Sequence, residues 1–335
     1  MSARASAALS IFAAVAASTA HAQVFELDIE ANAIAYSAQT HLLYATIPST
    51  AGVPYGNQLV AISPFDASIV GSVFVGSEPG PVATSPDSAT AYVGLAGAAA
   101  VRPVDLAAMT AGTQFSLGTS DIFGPLYAAD IAVMPGSPQT VAISRRDEGF
   151  SPSYQGVAIF DDGVMRPNVD ESFTGGNSIA FGDSPNDVYG YDNEVSDFNL
   201  CRYSIDGSGI AGQTCDSNVI SGYFVSIIFD GGTIFATSGA AVDADSFALQ
   251  GTYQSSGPVA VDDANGMVLF ANDGFIDVFD RDTYVPIVSF GVPSGGGFPR
   301  SAAACGPGCM AVVYDSNRIL VIRGNGDPIF ANGFD

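Results

Sequence analysis

Short runs of hydrophobic residues alternate with clusters of Gly, Asp, Asn and Pro along almost the whole chain. The apolar runs are rich in Val, Ile, Tyr and Phe, which favour β-strands, and the intervening clusters favour tight turns. A sustained 3.6-residue periodicity, typical of amphipathic helices, is hard to find beyond the first residues. The pattern therefore predicts an all-β protein built from many short strands.

One strand–turn–strand unit recurs about seven times. Its clearest copy runs from Val75 through the turn Ser85-Pro86-Asp87 to Gly94. The turns of successive copies are separated by 48, 50, 48, 47, 32 and 43 residues, and a four-stranded propeller blade takes roughly 40 to 50 residues. This spacing predicts a seven-bladed β-propeller with one trimmed blade. The turns are centred near Ser37, Ser85, Pro135, Asp183, Asp230, Asp262 and Cys305.

The two ends of the repeat region complement each other. The last copy supplies three strands, ending with Arg318 to Ile322, whereas Val24 to Ile29 reads as a strand left over before the first copy. Pairing of these segments would complete the last blade and remove two exposed sheet edges. The prediction is thus a ring closed by the N-terminal strand. A β-sandwich or two smaller β domains are the alternatives, because they share short strands and frequent turns.

The residues from Val75 to Gly94 resemble the YVTN family of repeats, which belongs with the lactonase-like and YncE-like bacterial β-propellers. The Tyr-Val pair is Tyr92-Val93, and Ser85-Pro86-Asp87 matches the usual turn of the family. The resemblance in repeat spacing covers most of the chain, but only about two copies carry the motif itself well. Copies three to five depart from it, for example at Met134-Pro135-Gly136. The resemblance implies the fold and leaves the activity open.

Residues 1–22 have the order of a secretory signal peptide. Arg4 precedes the apolar run Ala5 to Ala17, and small residues follow at Ala20-His21-Ala22. We therefore predict cleavage before Gln23, a propeller over residues 23–323 and a C-terminal tail over 324–335. The expected location is extracytoplasmic, either periplasmic or secreted, without membrane insertion.

The strongly negative net charge limits the classes of molecule that the protein is expected to bind. The formal net charge is -24, and the ten basic residues are all arginines. Such a surface repels the phosphates of nucleic acids, which are not expected as partners.

Four cysteines form two close pairs, Cys201 with Cys215 and Cys305 with Cys309. No well-placed histidine completes a zinc site, and an oxidising compartment favours disulfides. Both pairs are predicted to be disulfide-bonded.

The strands of a blade alternate in direction, so the loops from second to third strand share one face of the disk with the connections between blades. Long loops of the first kind are predicted at Pro48 to Asn57, Arg145 to Gln155 and Tyr191 to Asp197. The adjacent arginines 145 and 146 are suited to gripping a carboxylate or phosphate, or else they pair with acids of their own loop. The candidate ligand-binding residues are Arg145, Arg146, Asp147, Glu148, Tyr154, Tyr191, Asp192 and Glu194.

Catalytic chemistry has few candidate groups here. Removal of the signal peptide would leave His41 as the only histidine, and the chain has no lysine. The sequence also lacks the Gly-x-Ser-x-Gly motif of serine hydrolases. Three acidic clusters fit either tight turns or a calcium site. They are Asp161-Asp162-Gly163, Asp243-Ala244-Asp245 and Asp262-Asp263-Ala264-Asn265-Gly266. We assign no catalytic residue or metal ligand and expect no cofactor, with calcium as the open alternative.

The resulting hypothesis is an exported binding or scaffold protein that presents a loop-rich face to a protein, peptide or small ligand. The alternative is a carboxylate-based or calcium-assisted hydrolase, either lactonase-like or acting on glycosides.

Overall fold

The computed structural model describes residues 22–122, 124–172, 174–293 and 297–324. Except for Ala22, the predicted signal peptide lies outside the described residues, and so does the predicted tail beyond Gly324. Regular structure is almost entirely strand, with short 3-10 helices at Ser49–Ala51, Ala96–Ala98 and Asp263–Asn265. In the part of the chain that is described, no helix is long and apolar enough to cross a bilayer.

The strands follow one another closely along the chain. In chain order they are β1 (Gln23–Asp28), β2 (Ala33–Ser37), β3 (Leu42–Ile47), β4 (Gln58–Ile62), β5 (Ile69–Phe74), β6 (Pro79–Thr84), β7 (Thr90–Leu95), β8 (Ala100–Asp105), β9 (Thr110–Ala111), β10 (Phe115–Ser116), β11 (Thr119–Ser120), β12 (Gly124–Pro125), β13 (Tyr127–Val133), β14 (Thr140–Arg146), β15 (Tyr154–Asp161) and β16 (Val164–Met165). The second half comprises β17 (Ser178–Phe181), β18 (Asp187–Tyr191), β19 (Asn199–Asp206), β20 (Gly209–Ser217), β21 (Ile227–Asp230), β22 (Thr233–Ala236), β23 (Ala240–Asp243), β24 (Leu249–Thr252), β25 (Val259–Asp262), β26 (Met267–Ala271), β27 (Phe275–Asp280), β28 (Pro286–Gly291), β29 (Pro299–Ala304), β30 (Cys309–Tyr314) and β31 (Arg318–Arg323).

These strands form the seven blades of a β-propeller, which confirms the predicted fold. Blade 1 is β2 to β5, blade 2 is β6 to β10, blade 3 is β13 to β16 and blade 4 is β17 to β20. Blade 5 is β21 to β24, blade 6 is β25 to β28, and blade 7 is β29 to β31 together with β1. Neighbouring strands of each blade pair in antiparallel fashion, and in blade 2 the short strands β9 and β10 both pair with β8. A small ribbon of β11 and β12 links blades 2 and 3.

The N-terminal strand closes the ring as the sequence predicts. β1 pairs with β31 in antiparallel register from Gln23 opposite Arg323 to Asp28 opposite Arg318. An ion pair reinforces the pairing, because the Arg318 Nη1 atom lies 2.8 Å from Glu26 Oε1. The last blade therefore takes three strands from one end of the chain and its outer strand from the other.

A hydrophobic cluster fills each of the seven seams between neighbouring blades. Between blades 1 and 2, for example, Leu59 of β4 and Val93 of β7 share a cluster, and Val60 and Val321 do so across the seam between blades 1 and 7. Inner strands of a blade are thus buried on both sheet faces. This explains continuous apolar runs such as Cys309–Tyr314, all of whose residues are buried.

The trimmed blade predicted from the repeat spacing is blade 5. It keeps four strands, each of which is only four residues long. The chain therefore shortens this blade by shortening strands and loops, with no loss of a strand.

Both predicted disulfides are present. Cys201 and Cys215 face each other on the paired strands β19 and β20, and Cys305 and Cys309 join the ends of the turn between β29 and β30. Each bond staples a local hairpin.

Candidate binding face

The blade topology sorts the loops onto two faces of the disk. We call the face with the second-to-third-strand loops and the blade-to-blade connections the upper face, and the opposite one the lower face. The lower face carries the turns between first and second strands and between third and fourth strands. This division follows from the alternating strand direction in each antiparallel blade.

The lower face is rich in aspartates that stabilise its turns. Asp66 Oδ1 accepts hydrogen bonds from the N–H and Oγ of Ser68 at 3.1 and 2.7 Å. Asp280 Oδ1 accepts equivalent bonds from Thr283 at 2.8 and 2.7 Å. Hydrogen bonds from Ser63 and Ser68 lower the pKa of Asp66, and those from Thr283 lower the pKa of Asp280. Such bonds are the reason that Asp favours tight turns.

The acidic clusters considered for calcium are also engaged in turn contacts. Asp161 Oδ2 accepts a bond from Arg166 Nε at 2.7 Å. Asp262 accepts bonds from Asn265 and, across the seam to blade 7, from the N–H of Gly308 at 2.7 Å. Across the described ranges, no group of three or more His, Cys, Asp or Glu side chains is placed to hold a metal ion. The expectation of no cofactor, with calcium as the alternative, stays a prediction.

The upper face carries most of the exposed large aromatic side chains and the most exposed aliphatic ones. The most exposed are Val53 at 98%, Phe224 at 88% and Ile122 at 81%. The exposed apolar side chains of this face lie on loops or at strand ends of most of the blades. The large apolar side chains exposed on this face are Val53, Phe74, Ile122, Phe150, Tyr223, Phe224, Phe275 and Phe298.

The lower face differs in its aromatic content. Phe65 is its exposed aromatic side chain among the described residues, and the guanidinium of Arg323 lies over that ring at 4.2 Å from the centroid. Exposed aromatics are therefore concentrated on the upper face, in the region that the sequence marks for binding.

The loop that follows β14 on the upper face is organised by Asp147. The Asp147 side chain is fully buried. Its Oδ1 atom accepts bonds from the N–H groups of Gly149 and Phe150 at 2.9 and 2.8 Å, and its Oδ2 atom accepts one from Gln155 Nε2 at 2.9 Å. Asp147 therefore acts as the internal support of its loop.

The equivalent loop of blade 4 repeats this device at Asp192. Its Oδ1 atom accepts bonds from the N–H groups of Glu194 and Val195, both at 3.0 Å. Its Oδ2 atom is buried and has no hydrogen-bond partner in the described structure. Burial, together with the negative charges of Glu194 and Asp197, raises the pKa of Asp192.

A glutamate joins the two loops. Glu194 accepts bonds from both the N–H and the Oγ of Ser153 at 2.7 Å. On the same side of blade 4, the hydroxyl of Tyr191 donates to the carbonyl of Gly222 at 3.0 Å. The loops of blades 3 and 4 therefore form one supported unit.

Beneath these loops, Asp170 accepts hydrogen bonds in the seam between blades 3 and 4. The hydroxyl of Tyr154 donates to Asp170 Oδ2 at 2.6 Å and lies 3.1 Å from the hydroxyl of Tyr203. Burial raises the pKa of both tyrosines. Position 156 must be glycine here, because its φ is +84° and a Cβ would lie 1.7 Å from the Asp170 carbonyl oxygen.

The two adjacent arginines differ in burial, with Arg145 inside the protein and Arg146 partly exposed. Arg145 is 6% exposed, and its guanidinium donates to the carbonyls of Gln155 and Gly156 at 3.0 and 3.4 Å. Burial lowers the pKa of its guanidinium. Arg146 is partly exposed, lies 3.5 Å from Glu148 Oε1 and covers the Tyr127 ring at 5.8 Å from the centroid. Only the second arginine reaches the surface.

The structure thus brings the eight predicted site residues into one sector of the upper face. Five of them are buried and support the loops, whereas three are at least partly exposed. Their contact with a ligand stays a prediction. The buried members are Arg145, Asp147, Tyr154, Tyr191 and Asp192, and the others are Arg146, Glu148 and Glu194.

The sequence interpretation missed two features of this face. Asp170 was not singled out, because nothing local shows that a distant Tyr154 will donate to it. Tyr223 and Phe224 were also overlooked, although two adjacent aromatics after Ser221-Gly222 in a turn-rich segment are a signal for an exposed loop.

Comparisons with known proteins support the architecture. No protein-family model matches the chain, and no curated protein matches its sequence. Among solved structures, hydrazine synthase from Kuenenia stuttgartiensis is similar, with a TM-score of 0.66 and 14% sequence identity. The match covers 89% of this chain and 96% of that one. At this identity the similarity shows the fold alone.

Proposed function

We propose that this chain is an exported binding protein that holds a protein or peptide partner on the upper face of the propeller and performs no chemistry itself. The observation that carries the proposal is the concentration of exposed aromatic side chains on that face. Grouped exposed apolar side chains are characteristic of interaction surfaces, and aromatic residues are enriched in them. A rigid propeller that displays loops supports such a role.

Contacts within the loops favour recognition without large rearrangement. Asp147 and Asp192 fix their loops from inside, and Glu194 ties one to the other through Ser153. A preorganised surface loses less conformational entropy when a partner binds. Arg146 and Glu148 lie at the surface of this sector and are proposed as polar contacts at its rim.

Site-specific photo-crosslinking in intact cells tests the proposal. A photoreactive phenylalanine analogue at Phe224 or Phe275 should give a discrete crosslinked product. The matched positions on the lower face are Phe65 and Leu249, which are 62% and 56% exposed. Equal products from both faces, or products from the lower face alone, would contradict the proposed binding face.

Substitution gives a second readout. Phe224→Ser combined with Phe275→Ser should abolish the crosslinked product from a third upper-face position, Phe74, while Phe65→Ser should leave it intact. All four side chains are more than half exposed, so the substitutions should change stability little.

Export is part of this proposal. It is supported by the composition of residues 1–22 and by the two disulfides, which persist in oxidising compartments. Mass spectrometry of the protein from its native cells should find a mature chain that begins at Gln23 with all four cysteines oxidised. A chain that retains Met1 and free thiols would contradict export.

We also propose a distant relationship to the YVTN-repeat propellers. Ser85-Pro86-Asp87 stands at the turn between β6 and β7, and Tyr92-Val93 lies within β7, which are positions compatible with that repeat.

A further inference from the structure

A cleft of about 610 Å³ opens at the seam where the ring closes. It lies between the end of β1 in blade 7 and the loop 48–57 of blade 1, with the loop 315–317 on a third side. Small-molecule sites typically occupy roughly 300 to 1,000 Å³. The cleft is separate from the predicted site residues of blades 3 and 4.

The cleft combines an apolar wall with uncompensated negative charge. Ile29, Pro54 and Tyr55 supply apolar and aromatic surface, whereas Asp28 and Glu30 supply two carboxylates. Among the described residues, no basic side chain lines it. In the described structure, neither carboxylate has a hydrogen bond or ion pair, in contrast to the bonded aspartates of the lower-face turns.

The arginine opposite Asp28 bonds to other groups. Asp28 and Arg318 are opposite each other in the backbone register of β1 and β31. The Arg318 guanidinium, however, donates to Glu26 Oε1 at 2.8 Å and to the Pro293 carbonyl at 3.3 Å. The charge of Asp28 is therefore left available to a ligand.

We propose that this cleft binds a small organic cation of the alkyl amine class. An ammonium group placed beside Asp28 and Glu30 gains charge-assisted hydrogen bonds. The alkyl stem lies along Ile29 and Pro54, and the Tyr55 ring adds a cation–π contact. Two carboxylates at one site favour a diamine over a monoamine.

The first experiment compares four probes of similar length. 1,5-Diaminopentane should bind more tightly than pentylamine, and neither pentan-1-ol nor pentanoate should bind measurably. Calorimetry gives the affinities, and tyrosine fluorescence offers a second readout because the chain contains no tryptophan. Bound diamine should also raise the melting temperature, since it stabilises the native state. Equal binding of pentan-1-ol, or no binding of either amine, would overturn the proposal.

Matched variants separate the site from the general negative charge. Asp28→Asn combined with Glu30→Gln should weaken diamine binding at least about tenfold, equivalent to about 1.4 kcal/mol. Asp121→Asn combined with Asp197→Asn makes the same change in net charge at exposed carboxylates outside the cleft. An equal loss in both double variants would show binding by bulk charge alone and would overturn the site.

A blocking variant keeps the test decisive if the charge variants are poorly folded. Ser316 is exposed at the edge of the cleft. Ser316→Trp retains both carboxylates but fills the opening, so it should abolish diamine binding. Unchanged affinity in a folded Ser316→Trp protein would place the amine elsewhere and contradict the proposal. The cleft lies on the upper face and includes Val53, whereas Phe224 lies between blades 4 and 5 on another part of that face. Crosslinking from Phe224 should be unaffected by Ser316→Trp, which separates amine binding in the cleft from partner binding at Phe224.

Discussion

At the scale of single residues, Asp130 is a buried carboxylate that connects neighbouring blades of the ring. It lies on the innermost strand of blade 3, where Oδ2 accepts bonds from the N–H of Ile179 and the Oγ of Ser178 at 2.9 and 3.2 Å. The same Ser178 hydroxyl oxygen accepts the N–H of Ile227 at 3.1 Å. Asp130 and Ser178 together therefore link blades 3, 4 and 5. Burial raises the pKa of Asp130 to about 6, against the opposing effect of these hydrogen bonds.

We predict a titration of Asp130 near pH 6, measurable by carboxyl carbon NMR and absent in Asp130→Asn. The unfolded carboxyl titrates near 3.8, so the native state binds the proton more strongly between these values. Its contribution to stability is therefore full below about pH 4 and falls as pH rises to about 6. A resonance of Asp130 that titrates below pH 4.5 would contradict the burial argument.

Two buried tyrosines offer a matched comparison. The hydroxyl of Tyr154 donates to Asp170, whereas the buried hydroxyl of Tyr314 has no hydrogen-bond partner among the described residues. Tyr154→Phe should lower the free energy of unfolding by about 1–3 kcal/mol, because the buried Asp170 carboxylate loses the Tyr154 donor and keeps the hydrogen bonds from Ser172. Tyr314→Phe should be neutral or stabilising. Chemical denaturation measures both, and a larger loss at Tyr314 would refute the assignment.

At the scale of elements, the repeat turns formed where the sequence placed them. Ser37, Asp230 and Asp262 each end the first strand of a blade. Turn residues act through their own backbone and the next few residues, so their effect is readable locally. Side-chain exposure is different, because it depends on neighbouring loops. Thus the sequence marked the loop 145–155 but did not show that Arg145 would be buried and Arg146 exposed.

The two disulfides should differ in their effect on stability. The Cys201–Cys215 bond closes a sequence separation of 14 residues, and the Cys305–Cys309 bond closes a separation of 4. Chain-entropy reasoning gives losses of about 3 and about 2 kcal/mol for the corresponding double serine variants. Thermal and urea unfolding of the two variants test this order. A larger loss from Cys305→Ser with Cys309→Ser would show that packing at the blade 7 turn dominates.

At the scale of the whole molecule, the ring depends on a strand from the opposite end of the chain. The six residues of β1 pair along the full length of β31. The seam between blades 7 and 1 is packed with buried side chains like the other seams. Ring closure thus combines backbone pairing with a hydrophobic interface.

Deletion of residues 23–28 should therefore lower the melting temperature and promote self-association through the exposed edge of β31. A synthetic peptide with the sequence of β1 should restore the melting temperature, whereas a scrambled peptide should not. Calorimetry and size-exclusion chromatography provide the readouts. A truncated protein that remains monomeric and equally stable would contradict the closing role of β1.

The sequence by itself determined the strands, the spacing of seven units, the disulfide pairs and the joining of the ends. These features follow from local propensity, repetition and complementary termini. Only the tertiary structure decided which loop residues are supports and which are exposed, and that Asp28 and Glu30 share a cleft that no basic side chain of the described residues lines. The reason is physical: burial and charge compensation depend on contacts between segments far apart in the chain, such as Tyr154 with Asp170 or Arg318 with Glu26.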